Sequence, residues 1–497
     1  MGETGMDEHI LSIDQSTQAT KAMLFNRDGE LLLRRDAPHR QLVDEQGWLE
    51  NDPQEIYNNV LRVVPEVLHA ADLSGSAVCA VALTNQRETA VAWDRDTGRP
   101  IGNAILWHCP RGEKICAELA EQGYGERIRE ATGTTLSPYF SAAKMAWILR
   151  NIPEAQKLAD AGRLCLGTMD SWLIFRLTGG REFRTDYSNA ARTQLFNIRT
   201  LEWDPEVLKA FGIPLHALPQ LTASNGDFGS TDFDGLLPHP VPIRAVLGDS
   251  NAALYGQGCI EAGMVKATYG TGTSVMMNTG SRSISSRHLT SSIAWGSRED
   301  MTYVLEGNIN YTGSVITWLR DELQLIRTSE ETEQLALAAN PDDHTYLVPA
   351  FSGMGAPYWN ADAHALICGM TRMTGRPEFV KAALESIAYQ VADVISVMEQ
   401  EGSLGIQELR VDGGVTRNDY LMQFQTDILG KPVSISSIAE LSALGAAFMA
   451  GEALGLYSPV MLLAAGVRRT LTPQMPEEMR TAKYDGWLRA LHKVLSN

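Results

Sequence analysis

The sequence lacks the features that place a chain in or across a membrane. No run of about 18 uninterrupted apolar residues occurs, so we expect no membrane-spanning helix. Residues 1–10 are polar and acidic and contain no apolar signal-peptide segment, and the Met-Gly start is not followed by a hydroxyl residue at position 6, as myristoylation prefers. We therefore expect neither export nor a lipid anchor, and predict a cytoplasmic protein.

Cysteine is scarce and dispersed, and low-complexity tracts and short repeats are missing. The six cysteines form no Cys-x-x-Cys pair and have no histidine nearby at metal-ligand spacing. This distribution predicts buried, reduced thiols rather than disulfides or a zinc site. The residues concerned are Cys79, Cys109, Cys116, Cys165, Cys259 and Cys368.

Positive charge is also in deficit, because 42 Lys and Arg face 60 Asp and Glu, a formal net charge of −18. Such a charge repels phosphodiester backbones and anionic lipids, so we expect neither nucleic-acid nor membrane partners. A small anion such as ATP remains compatible, since a local nest of backbone N–H groups and one bound cation outweigh a diffuse surface charge at contact distance.

The length of 497 residues predicts two large α/β domains with a ligand cleft between them. The boundary is expected near 240–250, directly after the proline-rich segment 237–242, giving an N-terminal domain over 8–247 and a C-terminal domain over 248–497.

Two strand–turn units recur along the chain. The first pairs strands at 10–14 and 22–26 in a hairpin with a polar tip, and the second comprises 243–249 followed by 265–269 and 274–278. Their likeness suggests two related halves. Downstream, Pro377 and apolar residues at a spacing of three to four predict a packed helix that ends near Gly402.

Four turns carry residue types that suit a metal–nucleotide complex. Asp14 precedes a Ser/Thr/Gln/Lys turn that ends at Lys21, and Asp249 ends an apolar strand, where its carboxylate can accept a proton from an attacking hydroxyl. Residues 270–273 (Gly-Thr-Gly-Thr) and 411–418 (Val-Asp-Gly-Gly-Val-Thr-Arg-Asn) offer glycine backbone and a helix N-terminus for phosphate. Each also fits an ordinary turn or cap, so it is their conjunction in both halves that predicts nucleotide binding.

Longer segments carry a resemblance to a known family. Residues 139–151, and residues 365–370 with 378–385, resemble the two signatures of the FGGY family of carbohydrate kinases. Within that family the chain is most similar to the glycerol kinases, from about residue 9 to about residue 458. The segments that carry this likeness are 84–89, 167–173, 185–193, 268–272, 348–359 and 412–414.

The resemblance implies an actin-like fold, in which two ribonuclease-H-like domains close over ATP, Mg²⁺ and a small polyol. It implies that Asp249 is the general base, and that Asp14, together with Asp249, positions the metal. The implied nucleotide-binding residues are Thr17, Gln18, Lys21, Thr271, Gly313, Gly414 and Asn418. The implied acceptor-binding residues are Arg87, Glu88, Trp107, Tyr139, Asp249, Ser250 and Ser274.

The acceptor residues also make chemical sense without the family. Arg87 only donates hydrogen bonds and Glu88, when ionised, only accepts them, which suits two neighbouring hydroxyls, and Trp107 can cover a carbon backbone. An exposed ion pair and a core tryptophan are the alternative interpretations.

Several positions depart from the glycerol kinase pattern and keep other functions open. Ser250 stands where Gln is usual and Ser274 where an aromatic residue is usual, and Lys21 and Gln18 replace the usual Arg and Thr. Phosphorylation of glycerol to glycerol 3-phosphate is the expected reaction. The alternatives are a four- or five-carbon polyol or ketose as acceptor, a non-catalytic nucleotide-dependent switch, and a kinase that has lost activity. The sequence leaves open the acceptor's stereochemistry, allosteric control, and whether the chain forms a dimer or tetramer.

Overall fold

The computed structural model describes residues 8–73, 75–464 and 466–496, so the expectations for residues 1–7 lie outside the described residues. Its strands are β1 His9–Gln15, β2 Ala19–Phe25, β3 Leu31–Pro38, β4 Gln41–Val43, β5 Leu49–Asn51, β6 Val78–Asn85, β7 Val91–Asp94, β8 Ala104–Ile105, β9 Leu164–Gly167, β10 Arg184–Asp186, β11 Phe196–Asn197, β12 Glu202–Trp203, β13 Gln220–Thr222, β14 Ser230–Thr231, β15 Val241–Gly248, β16 Val265–Tyr269, β17 Thr273–Gly280, β18 Thr290–Gly296, β19 Met301–Ile309, β20 Tyr346–Val348, β21 Leu366–Cys368, β22 Leu409–Asp412, β23 Val433–Ser436 and β24 Val467–Leu471.

Helices flank and connect these strands. They are α1 Pro53–Ala70, α2 Glu113–Glu121, α3 Tyr124–Thr132, α4 Ser141–Asn151, α5 Pro153–Asp160, α6 Met169–Leu177, α7 Tyr187–Ala190, α8 Pro205–Phe211, α9 Asp249–Gly256, α10 Gly313–Asp321, α11 Glu331–Ala338, α12 Arg376–Gly402, α13 Asp419–Leu429, α14 Leu441–Ala453, α15 Pro459–Ala464 and α16 Glu477–Leu495.

Two large mixed sheets share one strand pattern. The first has the order β14-β15-β6-β1-β2-β3 and the second β18-β19-β17-β16-β22-β23-β24. In the first, β3, β2 and β1 form an antiparallel meander, and β6 and β15 continue the sheet in parallel. In the second, β19, β17 and β16 form the meander, and β22 and β23 continue it. This duplication confirms the predicted α/β, actin-like fold with two ribonuclease-H-like domains.

The end of the first sheet lies beside the predicted domain boundary. Its last strand, β15, ends at Gly248, and the first strand of the second sheet starts at Val265. The sequence grouped residues 243–249 with the second strand–turn unit, which is wrong, because β15 pairs in parallel with β6 of the first sheet. The recurring hairpin of the second half is β16 with β17. The division into 8–247 and 248–497 stays a prediction.

Local sequence explains where two long helices, α1 and α12, begin. Asp52 caps α1 by accepting from the Gln54 N–H at 2.8 Å, and Pro53 occupies the first turn. The predicted helix from Pro377 is confirmed as α12, where the Glu378 carboxylate accepts from the Gly375 N–H at 2.8 Å. Its buried face packs against the second sheet and α11.

Helices α9 and α14 cross between the two sheets. Apolar residues of both helices join residues of both sheets in one cluster. A Cβ added at Gly445 would collide with the Ala252 carbonyl oxygen, and one at Gly256 would collide with the Leu441 carbonyl oxygen. Glycine therefore sets the close approach of these helices, and with it the relative placement of the two sheets.

All six cysteines are free thiols; Cys79 and Cys368 are half-buried and the other four are buried. Over the described ranges, no helix is both long and apolar enough to cross a bilayer.

Candidate functional site

The carboxyl ends of three strands meet at one edge of the first sheet. Asp14 of β1 and Leu247 of β15 are both in register with Thr84 of β6, so Asp14 and Asp249 lie two strands apart at the same edge. At the facing edge of the second sheet, Thr268 of β16 is in register with Asp412 of β22. Ligands of open α/β sheets bind at such edges.

A cleft of about 580 Å³ opens between these two edges, lined by residues from both halves of the chain. It contains much of the site that the sequence predicts. The predicted residues that line it are Thr17, Arg87, Glu88, Trp107, Tyr139, Asp249, Ser250, Thr271 and Ser274.

Asp14 is buried beside this cleft, next to the cation that the sequence assigns to phosphate. Lys21 Nζ lies 3.2 Å from a carboxylate oxygen of Asp14 and 2.9 Å from one of Glu440, which precedes α14. Burial raises the pKa of Asp14 to about 6, with Asp249 adding to the rise and Lys21 opposing it.

Buried polar atoms without a hydrogen-bond partner in the described structure cluster at the same edge. They are Gln15 Oε1, Thr84 Oγ1 and Gln86 Nε2. Because buried polar groups are normally paired, such atoms indicate a place for water or a ligand. Thr89 Oγ1 donates to Gln86 Oε1 at 2.9 Å, which orients the Gln86 amide, and Gln86 itself lines the cleft.

The buried carboxylate of Asp14 and the unpaired polar atoms beside it fit the ligands that Mg²⁺ prefers. Within the described residues, no group of three or more His, Cys, Asp or Glu side chains could hold a metal ion. Mg²⁺ keeps several waters and binds through one or two carboxylates plus substrate phosphates. One buried carboxylate beside unpaired polar atoms matches that preference.

The Gly270–Thr273 turn is a tight backbone loop at the cleft wall. The Gly270 N–H donates to the Gly272 carbonyl at 2.8 Å, and the Gly313 N–H donates to the Gly270 carbonyl at 3.0 Å. Gly313 thereby joins the start of α10 to this turn, and a Cβ there would lie 2.7 Å from the Gly270 oxygen. Backbone so closely apposed can approach a phosphate that a side chain would exclude.

Gly413 and Gly414 directly follow the end of β22, and neither glycine lines the cleft. Gly413 has φ +102° and packs on the Tyr269 backbone, and Gly414 begins a short 3₁₀ turn. Asn418 caps α13 by accepting from the Leu421 N–H at 2.9 Å, and its amide donates to Thr332 at 3.0 Å. Gln18 is exposed at the tip of the first hairpin.

Arg87 and Glu88 are buried side chains rather than an exposed ion pair, being 5 % and 2 % exposed. Glu88 has φ +59°, a left-handed conformation that costs a residue with a Cβ about 1 kcal/mol. Non-glycine residues in this region occur preferentially at functional sites.

An aromatic wall faces this pair. Trp107 Nε1 donates to Thr17 Oγ1 at 3.1 Å, and its ring meets Tyr139 edge to face with the centroids 5.4 Å apart. Trp107 is half-buried and lines the cleft, so it is not a core residue. It connects the β1–β2 hairpin to the predicted acceptor site.

A buried lysine fixes the loop that carries Tyr139. Lys144 Nζ donates to three successive carbonyls, those of Pro138 at 2.8 Å, Tyr139 at 2.5 Å and Phe140 at 3.0 Å. Burial lowers the pKa of Lys144 to about 7, and the nearby Glu88 opposes that fall. The sequence motif contained Lys144, but its role was not predicted.

Asp249 begins α9 directly after β15. Its Oδ1 accepts from the Ser250 N–H at 2.6 Å and lies 3.5 Å from Arg87 Nε, and the side chain is 37 % exposed to the cleft. A carboxylate that is partly open to a cleft and oriented by an arginine can take a proton from a bound hydroxyl.

Sequence reasoning missed Glu306, whose side chain is fully buried in β19. It contacts Arg87, Arg192 and Ser274. An isolated carboxylate within the apolar strand Met301–Ile309 is the signal that could have revealed it.

Comparisons with known proteins agree over nearly the whole chain. Residues 9–256 match the FGGY family of carbohydrate kinases, N-terminal domain, and residues 265–454 match its C-terminal domain. A glycerol kinase from Symbiobacterium thermophilum is 47% identical over 98% of both chains, and glycerol kinase 1 from Thermotoga maritima is 44% identical over 98% of this chain and all of the other. The crystal structure of Plasmodium falciparum glycerol kinase with ADP superposes with a TM-score of 0.93 at 33% identity, covering 98% of both chains.

Proposed function

Because this chain belongs to the FGGY family of carbohydrate kinases, we propose that it transfers the γ-phosphoryl group of ATP to glycerol, giving glycerol 3-phosphate. The observation that carries this proposal is the placement of Asp14 and Asp249 at one edge of the first sheet, where Asp249 lines the cleft opposite the Gly270–Thr273 turn. The reaction belongs in the cytoplasm, where ATP is supplied. A homodimer or tetramer stays a prediction.

In the proposed reaction, Asp249 takes the proton of the acceptor hydroxyl as its oxygen attacks the γ-phosphorus. Arg87 and Glu88 bind neighbouring hydroxyls, while Trp107 and Tyr139 cover the carbon chain. This fixes the attacking oxygen in line and keeps water from competing for the phosphoryl group. Ser250 and Ser274 line the same cleft, and their small side chains set the limit of the space that a larger acceptor could occupy.

At the nucleotide end, the residues that we assign to ATP are Thr17, Gln18, Lys21, Thr271, Gly313, Gly414 and Asn418. Asp14, together with Asp249, would hold Mg²⁺ through bound water, and the ion would neutralise charge on the phosphates. Lys21 Nζ donates to Asp14 and to Glu440, which leaves the third N–H of its ammonium group for a phosphate oxygen.

A coupled assay of ADP release, with glycerol, tetritols, pentitols and ketopentoses each at saturating MgATP, tests this function. We expect the highest kcat/KM with glycerol. A clear preference for a four- or five-carbon compound would identify that compound, rather than glycerol, as the acceptor, and the assignment as a kinase would stand. ADP formation that no polyol stimulates would contradict the proposal and favour a nucleotide-dependent switch.

A further inference from the structure

Two arginines and two glutamates form a buried quartet beneath the acceptor end of the cleft: Arg87, Glu88, Arg192 and Glu306. All four are at most 5 % exposed. Three come from the first half of the chain, whereas Glu306 comes from β19 of the second sheet. The quartet therefore joins the two halves of the chain and includes the proposed hydroxyl-binding pair, Arg87 and Glu88.

Glu306 accepts hydrogen bonds from Arg87 with both carboxylate oxygens. Arg87 Nη2 donates to Oε1 at 2.6 Å and Nη1 donates to Oε2 at 3.1 Å, a planar two-bond contact. Arg87 Nη1 also lies 3.2 Å from Asn251 Oδ1. These bonds fix the plane of the guanidinium and leave its Nε facing Asp249 at 3.5 Å.

Glu306 also reaches Glu88 through Arg192. Arg192 Nη1 lies 2.9 Å from Glu306 Oε2 as an ion pair, and Arg192 Nε donates to Glu88 Oε1 at 2.5 Å. Within the described structure, Arg192 Nη1 makes no hydrogen bond of normal geometry. One carboxylate thus restrains both residues assigned to acceptor hydroxyls, one directly and one through a second arginine.

The charge of Glu306 supports a fixed arrangement of the four side chains. Burial alone raises the pKa of Glu306, but Arg192 and Arg87 outweigh burial and hold it well below its ordinary value. Glu306 is therefore ionised at neutral pH, and both arginines stay charged.

We propose that Glu306 is a positioning residue for the acceptor: from the second sheet it sets the orientation of Arg87 and, through Arg192, of Glu88. This inference rests on the proposed function. Since displacement of about 1 Å at a reacting group can cost 10²-fold in rate, the loss of this carboxylate should impair acceptor binding and turnover.

The test compares Glu306→Gln, Glu306→Asp and a control outside the cleft, using the acceptor that the wild-type enzyme prefers. In Glu306→Gln we expect the acceptor KM to rise about 10- to 100-fold while the KM for MgATP changes less than about threefold, with partial recovery in Glu306→Asp. The control is Asp204→Asn, because Asp204 is also a buried carboxylate paired with an arginine, Arg127, at 2.9 Å.

The outcomes separate positioning from stability. A Glu306→Gln enzyme with wild-type acceptor KM, or one whose acceptor and MgATP KM values rise equally, would overturn the proposal. So would an equal rise in acceptor KM in Asp204→Asn. If Glu306→Gln does not fold, Arg192→Lys tests the relay to Glu88 by the same KM comparison. Failure of the proposed function would appear in the wild-type enzyme, which would then show no acceptor-dependent turnover.

Discussion

Replacing Asp249 by Asn removes the proposed proton acceptor with little change in shape. The amide oxygen can still accept from the Ser250 N–H, which lies 2.6 Å from the present carboxylate. Arg87 loses a partner at 3.5 Å but keeps both bonds to Glu306. Because the Asp249 side chain is 37 % exposed, the charge is partly solvated, and we expect a stability change within about 1 kcal/mol.

The expected loss of turnover in Asp249→Asn is much larger than the expected change in its stability. A general base contributes about 10²–10⁴-fold to the rate. At about 1.4 kcal/mol for each factor of ten, this corresponds to about 3–5 kcal/mol of activation free energy. The loss should fall on kcat with the KM values little changed, because proton transfer occurs only in the transition state.

Steady-state kinetics with saturating MgATP and acceptor, together with MgATP binding by titration calorimetry, measure these quantities. Asp321→Asn is a matched control, since Asp321 is a half-exposed aspartate that pairs with Arg320 away from the cleft. Turnover of Asp249→Asn within tenfold of wild type would remove Asp249 from the role of base. A large loss of MgATP binding would instead mean that its carboxylate acts chiefly through the metal.

Two further substitutions test how the site is supported. Lys144→Met removes the amino group that holds the Tyr139 loop, so the acceptor KM should rise more than the KM for MgATP. Burial lowers the pKa of Lys144 to about 7, whereas lysine in an unfolded chain titrates near about 10.4. Between these two pKa values the unfolded chain binds more protons than the folded protein, so the free energy of unfolding of the wild type should rise with pH relative to that of Lys144→Met. Urea titrations at several pH values measure both free energies. Wild-type and Lys144→Met free energies that change in parallel with pH would contradict this prediction. Gly445→Ala forces a Cβ against the Ala252 carbonyl and should destabilise the protein by about 1–3 kcal/mol, whereas Gly125→Ala, in a helix with open space, should not.

Features fixed by neighbouring residues could be predicted from the sequence. The hairpin that brings Asp14 opposite Lys21 depends on a short turn and two apolar strands, and β1 and β2 pair as expected. The helix from Pro377 follows from its proline start and apolar spacing. In both cases local propensity and tertiary packing favour the same structure.

Contacts between distant segments could not be predicted in this way. Glu306 and Arg87 are 219 positions apart, and their contact depends on how α9 and α14 place the two sheets. The grouping of 243–249 with the second unit failed for the same reason, because an apolar strand does not reveal which sheet it joins. The sequence did not distinguish a core position from a cleft wall for Trp107. The fold places its Nε1 3.1 Å from Thr17 Oγ1, at the cleft.

The charges of the cleft limit how it can hold a nucleotide. Arg87 and Arg192 are neutralised by Glu88 and Glu306, and Lys21 lies between Asp14 and Glu440. These cations bring no free positive charge to a triphosphate in a protein of net charge −18. Backbone N–H groups and hydroxyls of the cleft, together with the Mg²⁺ that we propose, would supply most of the attraction. Because the carboxylates offset the charge of the arginines, the remaining N–H groups suit neutral hydroxyls, and the proposed polyol site can lie beside the proposed nucleotide site in one cleft.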